Sequence, residues 1–161
     1  MVDNIFCKLI IKEVIEIMTS LGYTVNDYYI GGSFALYLQG KAPSRLDLNN
    51  LKDVDIILKP GVSDTNIKDQ VSHYYSDGAD FIGTMKSKLL TLDFCQQTVG
   101  FTPVNYFDIV NLVPVNVIYM FKIKYAIAGN KKHWCDIIEY STNYELHNAA
   151  KSNNTDQELP F

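Results

Sequence analysis

The sequence predicts an α/β fold of the α+β kind, in which a mixed or antiparallel sheet carries flanking helices and ends in a short helical part. Three observations predict it. Apolar side chains recur at helical spacing through residues 5–21. Short β-rich runs separated by Gly and Pro turns occupy the middle of the chain. A helical pattern then returns over residues 115–143, so helices flank the strands along the chain, which is typical of layers packed around one core.

The composition is that of one globular domain without a strongly basic surface. The chain has 161 residues, 47% of them apolar, and a formal net charge of −4, which argues against nucleic-acid binding through a broad basic face. Three widely spaced cysteines predict free thiols in a reducing compartment, and no segment resembles a signal peptide or a membrane span. We therefore expect a cytoplasmic protein with a single domain over residues 1–147 and a polar, disordered tail over 148–161.

Each element has its own local signal. Gly22 ends the first helix, and a short apolar strand at residues 27–30 turns directly into a helix at 34–38. Pro60 and the glycine after it end a strand at 53–58. The remaining predicted elements are a helix from 63 or 64 to 75, strands at 81–85, 88–94 and 104–110, and helices at 115–128 and 132–143.

The turn between the first strand and the second helix reads Gly31-Gly32-Ser33. Two glycines allow unusual backbone dihedrals and the close approach of a ligand. The first amide groups of the helix and the Ser33 hydroxyl are suited to binding an anion such as phosphate. The alternative is a tight turn in which the serine caps the helix.

A second signal is the strand that carries Asp53 and Asp55. Side chains two residues apart on a strand point to the same face, so the two carboxylates stand side by side. Adjacent like charges repel unless a cation lies between them, and Mg²⁺ takes such oxygen ligands together with substrate phosphates. An edge strand with a solvated polar face is the alternative, but the apolar run at residues 56–58 favours a buried strand.

The two signals in this order resemble the nucleotidyltransferases of the DNA polymerase beta superfamily. The chain is similar to their minimal members, such as antibiotic nucleotidyltransferases and abortive-infection toxins. In those proteins a Gly-Gly-Ser/Thr turn precedes an Arg and an Asp-x-Asp strand, as residues 31–33, Arg45 and residues 53–55 do here. The loop at residues 40–51 is longer than usual and is expected to be a surface insertion. The resemblance implies the nucleotidyltransferase fold, with phosphates bound at Gly31, Gly32 and Ser33.

The resemblance also implies a third carboxylate on a later strand, which helps to hold the metal and takes the proton of the attacking hydroxyl. Asp108 and Asp93 are the candidates. We prefer Asp108, because members of the family place this residue in the last strand before the helical half. The expected catalytic and metal-binding residues are therefore Asp53, Asp55 and Asp108. Either candidate could instead be a polar residue on a solvated strand face.

A basic segment at residues 121–136 resembles the helical half of the family, where an early lysine reaches the triphosphate. Lys122 fits this nucleotide-binding position best, and Lys124 is the alternate. His133 stands where an Asp is usual in the later part of the motif. A helix with a solvated basic face is the alternative interpretation for any one of these lysines.

The activity implied is Mg²⁺-dependent transfer of a nucleoside monophosphate from an NTP, such as ATP, to an acceptor hydroxyl, with Mn²⁺ as an alternative cofactor. The acceptor could be a tRNA end, a protein side chain or a small molecule, and a protein partner could complete the site. A different class of function is a catalytically silent module that binds nucleotide or a partner and regulates it. A third is a glycosyltransferase that uses Asp53 and Asp55 on a nucleotide sugar.

Overall fold

The computed structural model describes residues 4–47, 50–72 and 80–150, and within them six strands form one mixed sheet. The order across the sheet is β3-β4-β2-β1-β6-β5. The consecutive pairs β1–β2, β3–β4 and β5–β6 are antiparallel, whereas β2–β4 and β1–β6 are parallel. The strands are β1 Tyr28–Gly31, β2 Asp53–Leu58, β3 Phe81–Lys86, β4 Thr91–Gln96, β5 Val104–Tyr106 and β6 Val110–Leu112.

Helices flank this sheet, so the predicted mixed α/β class is confirmed. They are α1 Asn4–Ser20, α2 Gly32–Leu38, α3 Thr65–Lys68, α4 Val115–Ile127 and α5 Lys131–Ala150, with a 3₁₀ turn at Asn50–Lys52. The predicted helix from 63 or 64 to 75 is wrong in length, because the helix found there is the single turn Thr65–Lys68. Residues 73–79 lie outside the described part. The last helix continues past the predicted end at 143 to Ala150. The predicted tail beyond that point, 151–161, also lies outside the described residues.

Alternation along β2 and β4 separates a core face from a polar face. Val54, Ile56 and Leu58 are fully buried, and the residues between them are more exposed. In β4, Leu92 and Phe94 are buried in the same way. These side chains join apolar residues of α1 in one hydrophobic core, and burial of each large side chain stabilises the fold by about 1.5–3 kcal/mol. The opposite face of the two strands is therefore available to polar residues.

Residues 104–110, predicted as one strand, instead form a hairpin. β5 and β6 are joined by a turn at Phe107 and Asp108, whose φ angles are 50° and 58°. Asp108 tolerates this left-handed conformation, and its N–H donates to the Asn105 Oδ1 at 2.9 Å. The expectation that Asp108 lies in a strand is thus wrong. Its side chain is exposed on the hairpin turn.

None of the helices in the described ranges combines the length and the apolar character that crossing a lipid bilayer requires.

Candidate functional site

A cleft of about 360 Å³ lies over the polar face of the sheet, a size typical of small-molecule sites. Strands β2 and β4 supply one wall, and α4 with the start of α5 supplies the other. The turn at residues 31–33 closes one side. The lining side chains used below are Asp53, Asp55, Asp93, Gln97, Phe101, Lys122, Lys132 and His133.

Of the four aspartates that line this cleft, three lie on two neighbouring strands, and Asp80 lies just before β3. Asp55 pairs with Asp93 in the parallel register between β2 and β4, and Asp53 lies two residues before Asp55. Paired residues of adjacent strands share a face, so the three side chains point the same way. The Thr84 hydroxyl donates to one Asp93 oxygen at 2.7 Å. Across the described residues, no Lys, Arg or His nitrogen lies within 4.0 Å of an oxygen of these carboxylates.

This arrangement makes ionisation of the carboxylates costly. Burial and the nearby Asp93 raise the pKa of Asp55 from 3.8 to about 7, against the opposing effect of Lys122. Burial and Asp93 also raise the pKa of Asp53. A bound cation would relieve this repulsion, because it favours the charged form of both groups. The site thus has the electrostatic character of one that takes a positive ligand.

The Asp55 carboxylate lies directly against Gly32. Gly32 has a φ of +62°, and a Cβ at this position would overlap Oδ2 and Cγ of Asp55. Gly31 precedes it as the N-terminal flanking residue of α2, where no side chain caps the helix. The turn therefore requires glycine for its backbone conformation and for the approach of the carboxylate. This contact joins the two motifs that the sequence keeps twenty residues apart.

We expect Gly32→Ala to destabilise the protein more than Gly40→Ala. Both glycines have positive φ, but nothing lies within 4 Å of a Cβ at Gly40. The left-handed backbone costs about 1–2 kcal/mol at either position, and overlap with Asp55 adds about 1–3 kcal/mol at Gly32 only. Urea denaturation of the two variants measures the difference. If the two variants lose the same free energy of unfolding, a methyl group at position 32 does not disturb the Asp55 carboxylate.

Ser33 lines the cleft beside this turn and is half-buried. Its hydroxyl has no hydrogen-bond partner among the described residues, and Gly31, not Ser33, occupies the capping position of α2. The alternative interpretation of Ser33 as a helix cap is therefore wrong. The hydroxyl is free to contact a ligand in the cleft.

Lys122 belongs to a buried charge network on the helical wall. Asp136 of α5 is 1% exposed and accepts hydrogen bonds from the Lys122 Nζ at 2.9 Å and from the Arg45 Nε and Nη2 at 2.7 Å each. Burial acts to raise the pKa of Asp136, but these hydrogen bonds outweigh it and hold the pKa below its ordinary value. Burial lowers the pKa of Lys122, against its bond to Asp136. Because only one of its three N–H donors is used in this way, the ammonium retains donors for the cleft.

The structure brings most of the predicted site residues together and separates one of them. Gly31, Gly32, Ser33, Asp53, Asp55 and Lys122 all line the cleft. Asp108 does not line it, because it is exposed on the β5–β6 turn. Asp93 takes its place beside Asp55, so the preference for Asp108 is corrected by the strand order. The alternate lysine, Lys124, is exposed on α4 and is not part of the lining.

Sequence reasoning missed two features of the site. One is the Arg45–Asp136 pair, which attaches the loop at residues 40–47 to α5. Ser44 strengthens the attachment, since its N–H and hydroxyl both donate to Glu139 one turn further along the helix. The other is Gln97, which follows β4 and carries no motif of its own. Alternation from Asp93 could have placed Gln97 on the cleft face, but only if β4 were known to lie beside β2.

The donor set suits Mg²⁺ or Mn²⁺. Both ions take carboxylate oxygens, and Mg²⁺ commonly uses one or two carboxylates while substrate phosphates complete its shell. Within the described ranges, no three His, Cys, Asp or Glu side chains are already arranged around a common point for a metal. Asp53 and Asp55 would hold the ion with Asp93 beside them, and the phosphates of a ligand would supply the remaining oxygens.

Comparisons with known protein families, with curated proteins and with solved structures found no match. The chemistry and geometry of the cleft therefore carry the functional assignment.

Proposed function

We propose that the chain is a Mg²⁺-dependent nucleotidyltransferase that moves a nucleoside monophosphate from an NTP to an acceptor hydroxyl and releases pyrophosphate. One observation carries the proposal. The Asp55 carboxylate lies against the Gly32 turn and beside Asp93, so the Gly-Gly-Ser turn and the carboxylates share one cleft. Either motif alone is common in proteins, whereas their contact supports a site that takes a polyphosphate together with its cation.

The residues of the cleft have distinct roles in this proposal. The Ser33 hydroxyl and the backbone at Gly32 contact the phosphates from the sheet side. Lys122 approaches from α4 and neutralises phosphate charge, with Asp136 holding its ammonium in place. Lys132 adds a second, exposed cation at the same wall. Phosphoryl transfer depends mainly on such positioning and charge neutralisation.

Asp53 and Asp55 would hold the divalent cation, which when bound would stabilise charge on the phosphate oxygens. Asp93 accepts the proton of the acceptor hydroxyl through the oxygen that does not bond Thr84. The hydroxyl oxygen forms a bond to the α-phosphorus, and the bond from that phosphorus to the bridging oxygen of pyrophosphate breaks. The negative charge passes from the attacking oxygen to the leaving pyrophosphate. The acceptor is a tRNA end, a protein side chain or a small molecule.

A melting-temperature panel of the four common NTPs, each with and without Mg²⁺, tests the proposal. A ligand that binds only the folded state raises the melting temperature, by an amount set by its concentration relative to Kd. We expect at least one NTP to stabilise the wild-type protein in a Mg²⁺-dependent manner and Asp53→Asn to lose the effect. The α-³²P-labelled form of that NTP then identifies the acceptor.

Asp93→Asn and Asp108→Asn are a matched pair of variants, since each replaces one candidate third carboxylate by an amide. Both are compared with the wild type in the melting-temperature panel and in an assay of transfer from the labelled NTP. Asp93→Asn should lower the transfer rate by about 10²-fold or more, as expected for loss of a group that acts in the transition state. Asp108→Asn should leave binding and transfer unchanged, because its side chain is exposed on a turn that does not line the cleft. If no NTP stabilises the wild type with Mg²⁺, the proposal fails. Equal stabilisation of wild type and Asp53→Asn without Mg²⁺ would favour the silent nucleotide-binding module.

A further inference from the structure

Gln97 carries a buried polar atom without a partner. Its Nε2 donates to the Val99 carbonyl at 2.8 Å, which orients the amide, and its backbone N–H donates to the Leu58 carbonyl at 3.0 Å. Its Oε1 is buried, yet no donor among the described residues reaches it. A flipped amide would set two oxygens against each other at Val99, so the orientation follows from the hydrogen bond. Gln97 lines the cleft, and the hydrogen bond to Val99 fixes the position of its acceptor oxygen.

The residues that follow Gln97 in the chain include the apolar Val99 and Phe101, which also line the cleft. The polar residues Asp80, Gln96 and Thr98 line it as well. The ring of Phe101 packs against Tyr29 with centroids 4.8 Å apart, which holds that wall in place. A buried acceptor left without a partner is costly, and a ligand N–H placed here would remove the cost. The flat ring of Phe101 and the acceptor of Gln97 together suit a planar heterocycle with a donor on its edge.

Gln97 lies beyond the end of β4, further along the strand direction than Asp93, the partner of Asp55. Residues 93, 95 and 97 follow one face of β4 and its continuation, and the strand rise of about 3.3 Å per residue separates Asp93 from Gln97 by roughly 13 Å. A nucleoside triphosphate has its phosphates at one end and its base at the other. With the phosphates at Gly32 and Asp55, the base can extend along the sheet toward Gln97.

We propose that Gln97 determines base specificity by accepting a hydrogen bond from an exocyclic amino group, as adenine and cytosine present. This inference rests on the proposed nucleotide function and adds the class of donor to it. Uracil and hypoxanthine carry a carbonyl oxygen in the corresponding place. With these bases two acceptors would face each other, so the Gln97 oxygen would remain unpaired and binding would weaken.

Pairs of ligands that differ at the exocyclic amino group of the base test this contact. ATP is compared with ITP, and CTP with UTP, by calorimetry in the presence of Mg²⁺. Adenosine and inosine are compared by saturation-transfer NMR without Mg²⁺, which tests the base contact independently of the phosphates. In any pair that shows binding, we expect the ligand with the amino group to have the higher affinity, by about 10-fold or more. Gln97→Leu should bring the ratio close to one, and Gln97→Glu, which retains an acceptor oxygen, should preserve the preference.

The outcomes separate this inference from the proposed function. NTP binding could depend on Mg²⁺ and yet show equal affinities for ATP and ITP, and for CTP and UTP. That result would overturn the role of Gln97 and leave the nucleotidyltransferase proposal standing. A preference for adenosine over inosine that Gln97→Leu removes, without any Mg²⁺-dependent NTP binding, would support Gln97 and overturn the transferase. Absence of binding by every nucleotide and nucleoside would overturn both. A preference that persists unchanged in Gln97→Leu would also overturn the role of Gln97.

Discussion

Asp55→Asn is expected to raise the melting temperature of the metal-free protein at pH 8 and to remove its response to Mg²⁺ and NTP. The substitution removes a charge that burial and Asp93 make unfavourable, so the folded state gains stability. It also removes a carboxylate that holds the cation in the proposed site. Because 1 kcal/mol corresponds to about 2–4 °C in a domain of this size, we expect a rise of several degrees in EDTA. Scanning calorimetry with and without Mg²⁺ measures both effects.

The sign of the pH dependence follows from the raised pKa of Asp55. Between the ordinary value of 3.8 and about 7, the unfolded chain releases this proton while the folded chain keeps it. The unfolded state therefore binds fewer protons, and the free energy of unfolding falls as the pH rises through this interval, by at most about 4 kcal/mol. Asp53 contributes in the same direction. Lys122 and Lys132 face Asp55 as cations and limit the effect.

Asp108→Asn is the matched control for Asp55→Asn, since it removes one carboxylate at an exposed turn that asparagine also tolerates. It should leave the melting temperature nearly unchanged at both pH 5 and pH 8. The Asp55→Asn protein should show a flatter stability profile between these two values than the wild type does. An Asp55→Asn protein that is less stable at pH 8 and still responds to Mg²⁺ and NTP would contradict both the electrostatic account and the site.

Asp136→Asn is expected to cost about 3–5 kcal/mol of stability, the magnitude typical of breaking a buried ion pair. The change leaves Lys122, itself 5% exposed, without its carboxylate partner. Arg45 loses its charge partner too, but it can turn toward solvent because it is more exposed. The corresponding fall in melting temperature is roughly 6–20 °C. Urea denaturation followed by circular dichroism measures the loss.

Two further variants test the cause of this loss. Glu139→Gln alters the neighbouring attachment of α5 to Ser44, which is exposed, and should cost under about 1 kcal/mol. The double variant Lys122→Met, Asp136→Leu removes the buried charges together and should recover much of the lost stability, because no buried ion then lacks a partner. If Asp136→Asn and Glu139→Gln cost the same, the network contributes no more than a surface pair does.

The local parts of the site could be predicted from the sequence because they depend on short-range geometry. The turn at residues 31–33 follows from its glycines, and the common face of Asp53 and Asp55 follows from strand alternation. The apolar residues that alternate with these two aspartates likewise indicate which face of the strand packs in the core. Only the tertiary structure places the Asp55 carboxylate against Gly32, because that contact depends on how β1 and β2 pair.

The choice between Asp93 and Asp108 shows why contacts between distant segments could not be predicted from the sequence. Asp93 and Asp108 both lie in apolar segments, and their local patterns are equivalent. Asp93 reaches the site because β4 pairs in parallel with β2, whereas the segment around Asp108 bends into a hairpin. Parallel pairing between distant strands depends on the packing of the whole chain and leaves no mark on either strand alone.

By itself, the sequence determined the mixed α/β class, the bounds of most elements to within a few residues and the two motifs at the cleft, since each follows from local periodicity and turn chemistry. The tertiary structure alone decided which distant residues meet at and beside the cleft. Asp93 lies beside Asp55, Asp136 joins Lys122 to Arg45, and Gln97 has a buried oxygen without a partner among the described residues. The physical reason is that these contacts join segments far apart in the chain, so they depend on the strand order and helix packing that bury the core.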